Sequence, residues 1–250
     1  MKILFAVIAL LLGSVTIASA QDFYLPVSST SKPAIASLHR AAELYANVHF
    51  KEGKAEVDKA LAEDPNFFMA HVYAMQYASR ATRPGIADKT LALDETNLNE
   101  AEKIMRQLIV KWKADTASKA GETMKALVAA YPKTPQALEW ASLYSFYSDK
   151  DVDAAMDYAQ KLAKLSPKFA PNYNTMGYLY MEKKEMDKAK EALEKYIALA
   201  PKEANAYDSM AEFYLNNKEY AKSAEYYDKA AAMGLADAKE RADKARTMIK

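Results

Sequence analysis

The sequence predicts an all-α protein, a solenoid of about six helical hairpins with a further helix capping its end. Three observations carry the prediction. Tyr173, Met176, Tyr180 and Tyr196 fall in step with Tyr207, Met210, Tyr214 and Ala230 at a spacing of 34 residues. Prolines recur at Pro65, Pro132, Pro167 and Pro201, with gaps of 67, 35 and 34 residues, the first being two periods with one marker missing near Asn97. Beyond residue 34 the chain is rich in Ala, Leu, Glu and Lys, which favour helix, and the six glycines of the whole chain lie far apart.

Residues 1–20 stand outside the pattern. Met1 and Lys2 give a basic start, Ile3 to Leu12 an apolar run and Ala18-Ser19-Ala20 a small-residue cleavage site. Together they resemble a bacterial secretory signal peptide cut before Gln21, which implies an exported protein, periplasmic or secreted, with no membrane span once the signal is removed. The chain has no cysteine, so it can form no disulfide framework, and its core alone must hold it. Without Lys2 it carries 33 basic and 33 acidic side chains, with no strongly basic stretch. A nucleic-acid partner is therefore not expected, because that binding rests on neutralising phosphates.

Residues 21–33, QDFYLPVSSTSKP, are polar with two prolines and a serine cluster, and read as a flexible leader. The repeat array follows over 34–236. A proline ends a helix because it lacks an N–H and clashes with the preceding turn. Five residues before each proline stand Ala60, Leu127, Leu162 and Tyr196, and Ala230 takes that place before Leu235 in the last unit.

In the unit starting at Ala170 the pattern runs Tyr173, Met176-Gly177, Tyr180, Ala189, Leu193, Tyr196 and Pro201, and in the next unit Tyr207, Met210-Ala211, Tyr214, Ser223, Tyr227 and Ala230. This resembles the tetratricopeptide repeat, with Tyr196 bulky where that family usually has alanine. The resemblance implies a right-handed α–α superhelix. Earlier units fit with a turn one residue shorter: Trp140, Leu143-Tyr144, Tyr147, Ala155, Ala159 and Leu162; then Met105, Leu108-Ile109, Trp112, Ala120, Met124 and Leu127; and Leu38, Ala41-Ala42, Tyr45 and Ala60. The second unit is degenerate. Ala70, Tyr73-Ala74 and Tyr77 give it a first helix, but Pro84 and Gly85 make 82–97 a poor second one, and a loop is expected there. Residues 237–250 read as a charged capping helix.

Repetition has a physical cause. One hairpin cannot bury both its sides, so each unit leaves an apolar face for its neighbour, and Gly177 and Ala211 let helices approach. The 17 tyrosines and 12 methionines are accordingly read mostly as filler between helices.

No catalytic constellation is present in the sequence. It lacks a Gly-rich phosphate loop and the HExxH, GxSxG and EF-hand spacings. Glu191 with Lys195 and Lys190 with Glu194 are the pattern of a solvated helix face. Of the three histidines, His39 and His49 lie ten residues apart, which on a helix turns them about 280° from one another, a poor metal pair. No cofactor or metal is expected.

The resemblance further implies binding by the concave wall that the first helices form. Residues one, five and nine places after each first marker lie on one stripe. These include His39 and Glu43 in the first unit, His71 in the second, Arg106 in the third, Asn174, Tyr178 and Glu182 in the fifth and Asp208, Glu212 and Asn216 in the sixth. The family's carboxylate clamp of lysine and asparagine is not reproduced. The acidic end favours a polar or cationic segment. The expected function is a non-enzymatic scaffold or adaptor of the bacterial cell envelope or secretome that binds a protein or peptide segment. A second class is a glycan- or small-ligand-binding accessory, for which the aromatic residues would supply stacking faces.

Overall fold

A computed structural model describes residues 23–249. The expected signal peptide, its expected cleavage site and the final lysine lie outside the described residues. Among the described residues there are thirteen α-helices and no strand. They pair as α1 (Lys32–Ala46) with α2 (Phe50–Glu63), α3 (Phe68–Tyr77) with α4 (Arg83–Leu91), and α5 (Glu100–Ala114) with α6 (Gly121–Ala130). Next come α7 (Pro135–Tyr144) with α8 (Val152–Leu165), α9 (Ala170–Glu182) with α10 (Met186–Leu199), and α11 (Ala204–Asn216) with α12 (Tyr220–Ala232). A last helix, α13 (Ala238–Thr247), packs on α12. The segment 82–97, expected as a loop, holds the short helix α4 with Pro84 in its first turn, where a missing N–H costs nothing.

The 34-residue period is written into the backbone as well as the side chains. The turns inside four hairpins each carry one residue in the left-handed region, Val48, Lys150, Lys184 and Lys218, with φ of 66°, 58°, 61° and 61°. Their numbers differ by multiples of 34. In the fourth unit a turn one residue shorter was expected, but the period is kept: α7 widens into a π turn at Ser145–Asp149 and Lys150 falls 34 residues before Lys184. Asp149 Oδ1 then accepts the amide of Ala120 at 2.8 Å and so ties this turn to the start of α6.

The core is a chain of clusters rather than one ball, as nearest-neighbour packing of repeats requires. Gly177 is one place where packing demands glycine: a Cβ there would stand 2.6 Å from Leu193 Cδ2 and 2.7 Å from Cγ.

Residues 23–31 are not a free leader. The amide of Leu25 donates to Gln136 Oε1 at 2.7 Å, and the amide and hydroxyl of Ser28 both donate to Glu102 Oε1 at 3.0 Å. Asn99 Nδ2 donates to the carbonyl of Pro26, Ser29 donates to Asp64, and Leu25 is 3% exposed. The segment therefore runs past the N-terminal ends of α5, α7 and α9, where Phe23 meets Phe169 at a ring distance of 4.8 Å. Glu102 belongs to the capping box of α5, so one carboxylate caps a helix and clamps the leader. Composition alone suggested a flexible leader; the acceptors that hold the segment lie 15 to 111 residues away.

Candidate functional site

The first helices form the inner wall, and the array curls far enough for its two halves to meet across it. His49 Nε2, in the turn after α1, lies 2.7 Å from Glu203 Oε2 at the start of α11. Deeper in, α3 faces α7: Tyr73 and Trp140 have ring centroids 5.7 Å apart, and Gln136 Nε2 donates to the Tyr73 hydroxyl at 2.8 Å. A ladder of inner residues recurs every 34 positions as Gln76, Val110, Tyr144, Tyr178 and Glu212. Two of its rungs close by hydrogen bonds of 2.7 Å, Gln76 Nε2 to the Tyr144 hydroxyl and the Tyr178 hydroxyl to Glu212.

The wall encloses a chamber of about 520 Å³ between α1, α3, α7 and α9. Its rings come from Tyr45, Phe50, Tyr73, Trp140, Tyr144 and Tyr147. Phe50 and Tyr147 form an exposed rim, at 51% and 59% exposure. Part of the polar lining is engaged within the chain. Gln76 is bound to Tyr144, and Asn172 Nδ2 donates to the carbonyl of Ala159 at 2.9 Å. Glu139 and Asn174 are different: Asn174 Oδ1 is buried without a partner, and Glu139 makes no hydrogen bond or ion pair among the described residues. Burial pushes the Glu139 carboxyl up to about 8.

The residues expected on the concave stripe divide into three groups. Asn174 lines the chamber. Glu182 and Asn216 are exposed. The others are committed to this chain. His39 stacks on Tyr24 at 3.9 Å; burial lowers its pKa, with Glu43 opposing. Glu43 pairs with Arg40, and Arg106 with Glu95. Asp208 is buried and held by Arg241 of the capping helix at 2.9 Å, so it is not a free groove carboxylate; burial raises its pKa and Arg241 opposes. The hydroxyl of Tyr178 is tied to Glu212, and burial followed by that carboxylate raises its pKa.

His71 also sits one register away from its expected place. Its Nε2 is 2.8 Å from the carbonyl of Pro65, and Tyr173 and Tyr207 make the same contact with Pro167 and Pro201, in each case six residues back. His71 thus stands in for the first marker and not one place after it. Glu139 occupies the same register, 34 residues before Tyr173. A signal for it existed: between Pro135 and Ser148 it is the only charged residue.

Among the described residues no helix is long and apolar enough to cross a membrane, and no group of three or more His, Asp or Glu could hold a metal ion. Residues 170–203 match a family model described as tetratricopeptide repeat. The fold is similar to that of a thermophilic TPR protein in Thermus thermophilus, at 18% identity and a TM-score of 0.52, covering 86% of this chain and 99% of that one. It is similar in the same degree, 18% and 0.52, to the APC/C hetero-tetramer Cut9–Hcn1, with 85% of this chain matching 42% of that one. No curated protein matches the chain.

Proposed function

We propose that the chain, which carries a tetratricopeptide repeat at 170–203 and the fold of such repeat proteins, is a non-enzymatic binding scaffold whose inner wall holds an extended segment of another protein. One observation carries the reading: the array already holds residues 23–31 of its own chain, and it does so through main-chain groups. Gln136 and Glu102 accept the amides of Leu25 and Ser28, and Asn99 donates to the carbonyl of Pro26. Backbone contacts of this kind recognise an extended conformation, and side-chain pockets then add selectivity. The apolar run and small-residue site at 1–20 support export, to the periplasm or outside the cell, as the setting of this activity.

Crosslinking in the native envelope followed by mass spectrometry tests the proposal. The expected crosslinks fall on first helices, around Asn174, Tyr178 and Glu182. Tyr178→Ala is expected to weaken binding, since it removes an aromatic contact and leaves Glu212 without its donor. Glu225→Gln, on the outer helix α12 and paired with Lys229, serves as the control. If the control weakens binding as much as Tyr178→Ala does, the partner does not lie in the groove.

The aromatic chamber is the observation that favours the second class, a small-ligand accessory. The donors of Gln76 and Asn172 are already engaged, which leaves the hydroxyls of Tyr45, Tyr147 and Ser148 and the Trp140 indole N–H as the donors a sugar would use.

A further inference from the structure

The 520 Å³ chamber has a defined chemical bias. Its aromatic faces form a continuous set, with Phe50 5.6 Å from Tyr45, Tyr45 6.5 Å from Tyr73, and Tyr73 5.7 Å from Trp140. Two polar groups of its lining that have no partner among the described residues are the Glu139 carboxyl and the buried Asn174 Oδ1. Ring faces carry negative potential and attract cations, most strongly where water is excluded. A ligand with several N–H donors and a positive charge suits the ring faces, Asn174 Oδ1 and the Glu139 carboxyl once it ionises.

Among the described residues no cation pairs with Glu139. Arg83, near Tyr45 and Tyr144, donates to the carbonyls of Met75 and Ala78, and Arg40 pairs with Glu43. The titratable groups that face Glu139 are the hydroxyls of Tyr24 on the leader, Tyr45 on α1 and Tyr73 on α3. None of these is a counter-ion.

We infer that the chamber receives a lysine or arginine side chain of the protein segment bound in the groove, with Glu139 as its counter-ion and the rings of Tyr45, Tyr73 and Trp140 around its stem and head. The inference rests on the protein-binding reading above and names the side chain that the partner must present. Binding converts a carboxylic acid to a carboxylate and releases its proton, because burial holds the empty-site pKa near 8. Affinity therefore rises between pH 6 and pH 8, while a lysine amine, with an ordinary pKa of about 10.4, stays charged.

The test uses the intact exported chain and three probes: an acetylated and amidated Gly-Gly-Lys-Gly-Gly peptide, the same peptide with Nε-acetyl-lysine, and n-butylamine. Trp140 lines the chamber, so its fluorescence reports occupancy directly, and calorimetry gives the proton release in buffers of different ionisation enthalpy. The lysine peptide is expected to bind about tenfold or more tightly than its acetylated form, and Glu139→Gln is expected to remove that difference together with the pH dependence. Equal binding of the two peptides, or an unaltered affinity in Glu139→Gln, overturns the inference. Tighter binding of n-butylamine than of the lysine peptide overturns the assignment to a partner's side chain. Crosslinks that map to the groove while the lysine peptide fails to bind would remove this inference alone; crosslinks that map to the outer helices would remove the groove reading, whatever the peptides do.

Discussion

His49 Nε2 and Glu203 Oε2 meet at 2.7 Å across 154 residues, joining the turn of the first hairpin to the start of the last first-helix. Repeats contact only their sequence neighbours in an open solenoid, so this pair reports how far the superhelix curls. Both side chains are partly exposed, 44% and 29%, which limits the pair to a small stabilisation, typically below about 1 kcal/mol. His49→Ala is expected to leave the melting temperature nearly unchanged but to loosen the closure, seen as a larger radius of gyration by small-angle scattering. An unaltered scattering curve would show that the packing around Tyr45, Tyr73 and Trp140 holds the ring closed without this contact.

The seated leader is open to a stability test. Leu25 is buried among residues of the first core cluster, so Leu25→Ala should cost about 2–3 kcal/mol, in the range of buried Leu→Ala changes. Limited proteolysis should then cut the variant between residues 23 and 31 under conditions that spare the wild type. A cost below about 0.5 kcal/mol, the range of surface changes, would mean that the segment is not held.

Gly177 and Leu193 meet so closely that a Cβ on Gly177 would stand 2.6 Å from Leu193 Cδ2. Gly177→Leu should destabilise by about 1–3 kcal/mol through overpacking. Adding Leu193→Ala should recover part of that loss, because the second change frees the space the first one needs. Additive costs in denaturant titration would show that the two positions do not compete for one volume.

Glu139 makes stability depend on pH. Its folded-state pKa of about 8 lies above the ordinary 4.5, so the folded chain binds more protons between those values. Its contribution is fully favourable below pH 4.5, falls as the pH rises and reaches its lowest value above pH 8, a change of roughly a few kcal/mol. Glu139→Gln should remove this slope and be the more stable protein at pH 8. Urea midpoints of the two proteins at pH 5 and pH 8 check it; parallel pH profiles would show that the carboxyl is well solvated.

The helices, their pairing and their packing markers were legible in the sequence because they are set locally. A period of 34 appears wherever one hairpin must present the same face to the next, and Tyr173, Gly177, Leu193 and their counterparts in the next unit mark that face. Register was less legible where a marker is unusual. Ala70 was the apolar choice in the second unit, but His71 makes the bond to Pro65 that tyrosines make elsewhere, since an imidazole nitrogen can replace a phenol.

The candidate site depended on something no local pattern records. Curvature accumulates over units, and it alone brings Tyr45 and Phe50 of the first hairpin against Trp140, Phe169 and Asn174 to enclose a chamber. It also turned expected groove residues into internal partners, as with Asp208 on Arg241 and Tyr178 on Glu212. The leader reads as polar linker until Gln136 and Glu102 are placed beside its amides. The sequence by itself determined an all-helical array of hairpins, because the burial of each hairpin's apolar face is decided between neighbours in the chain. The closure, the seated leader and the chamber were decided only by the tertiary structure, because each rests on the summed rotation of successive repeats and on polar partners far away in sequence.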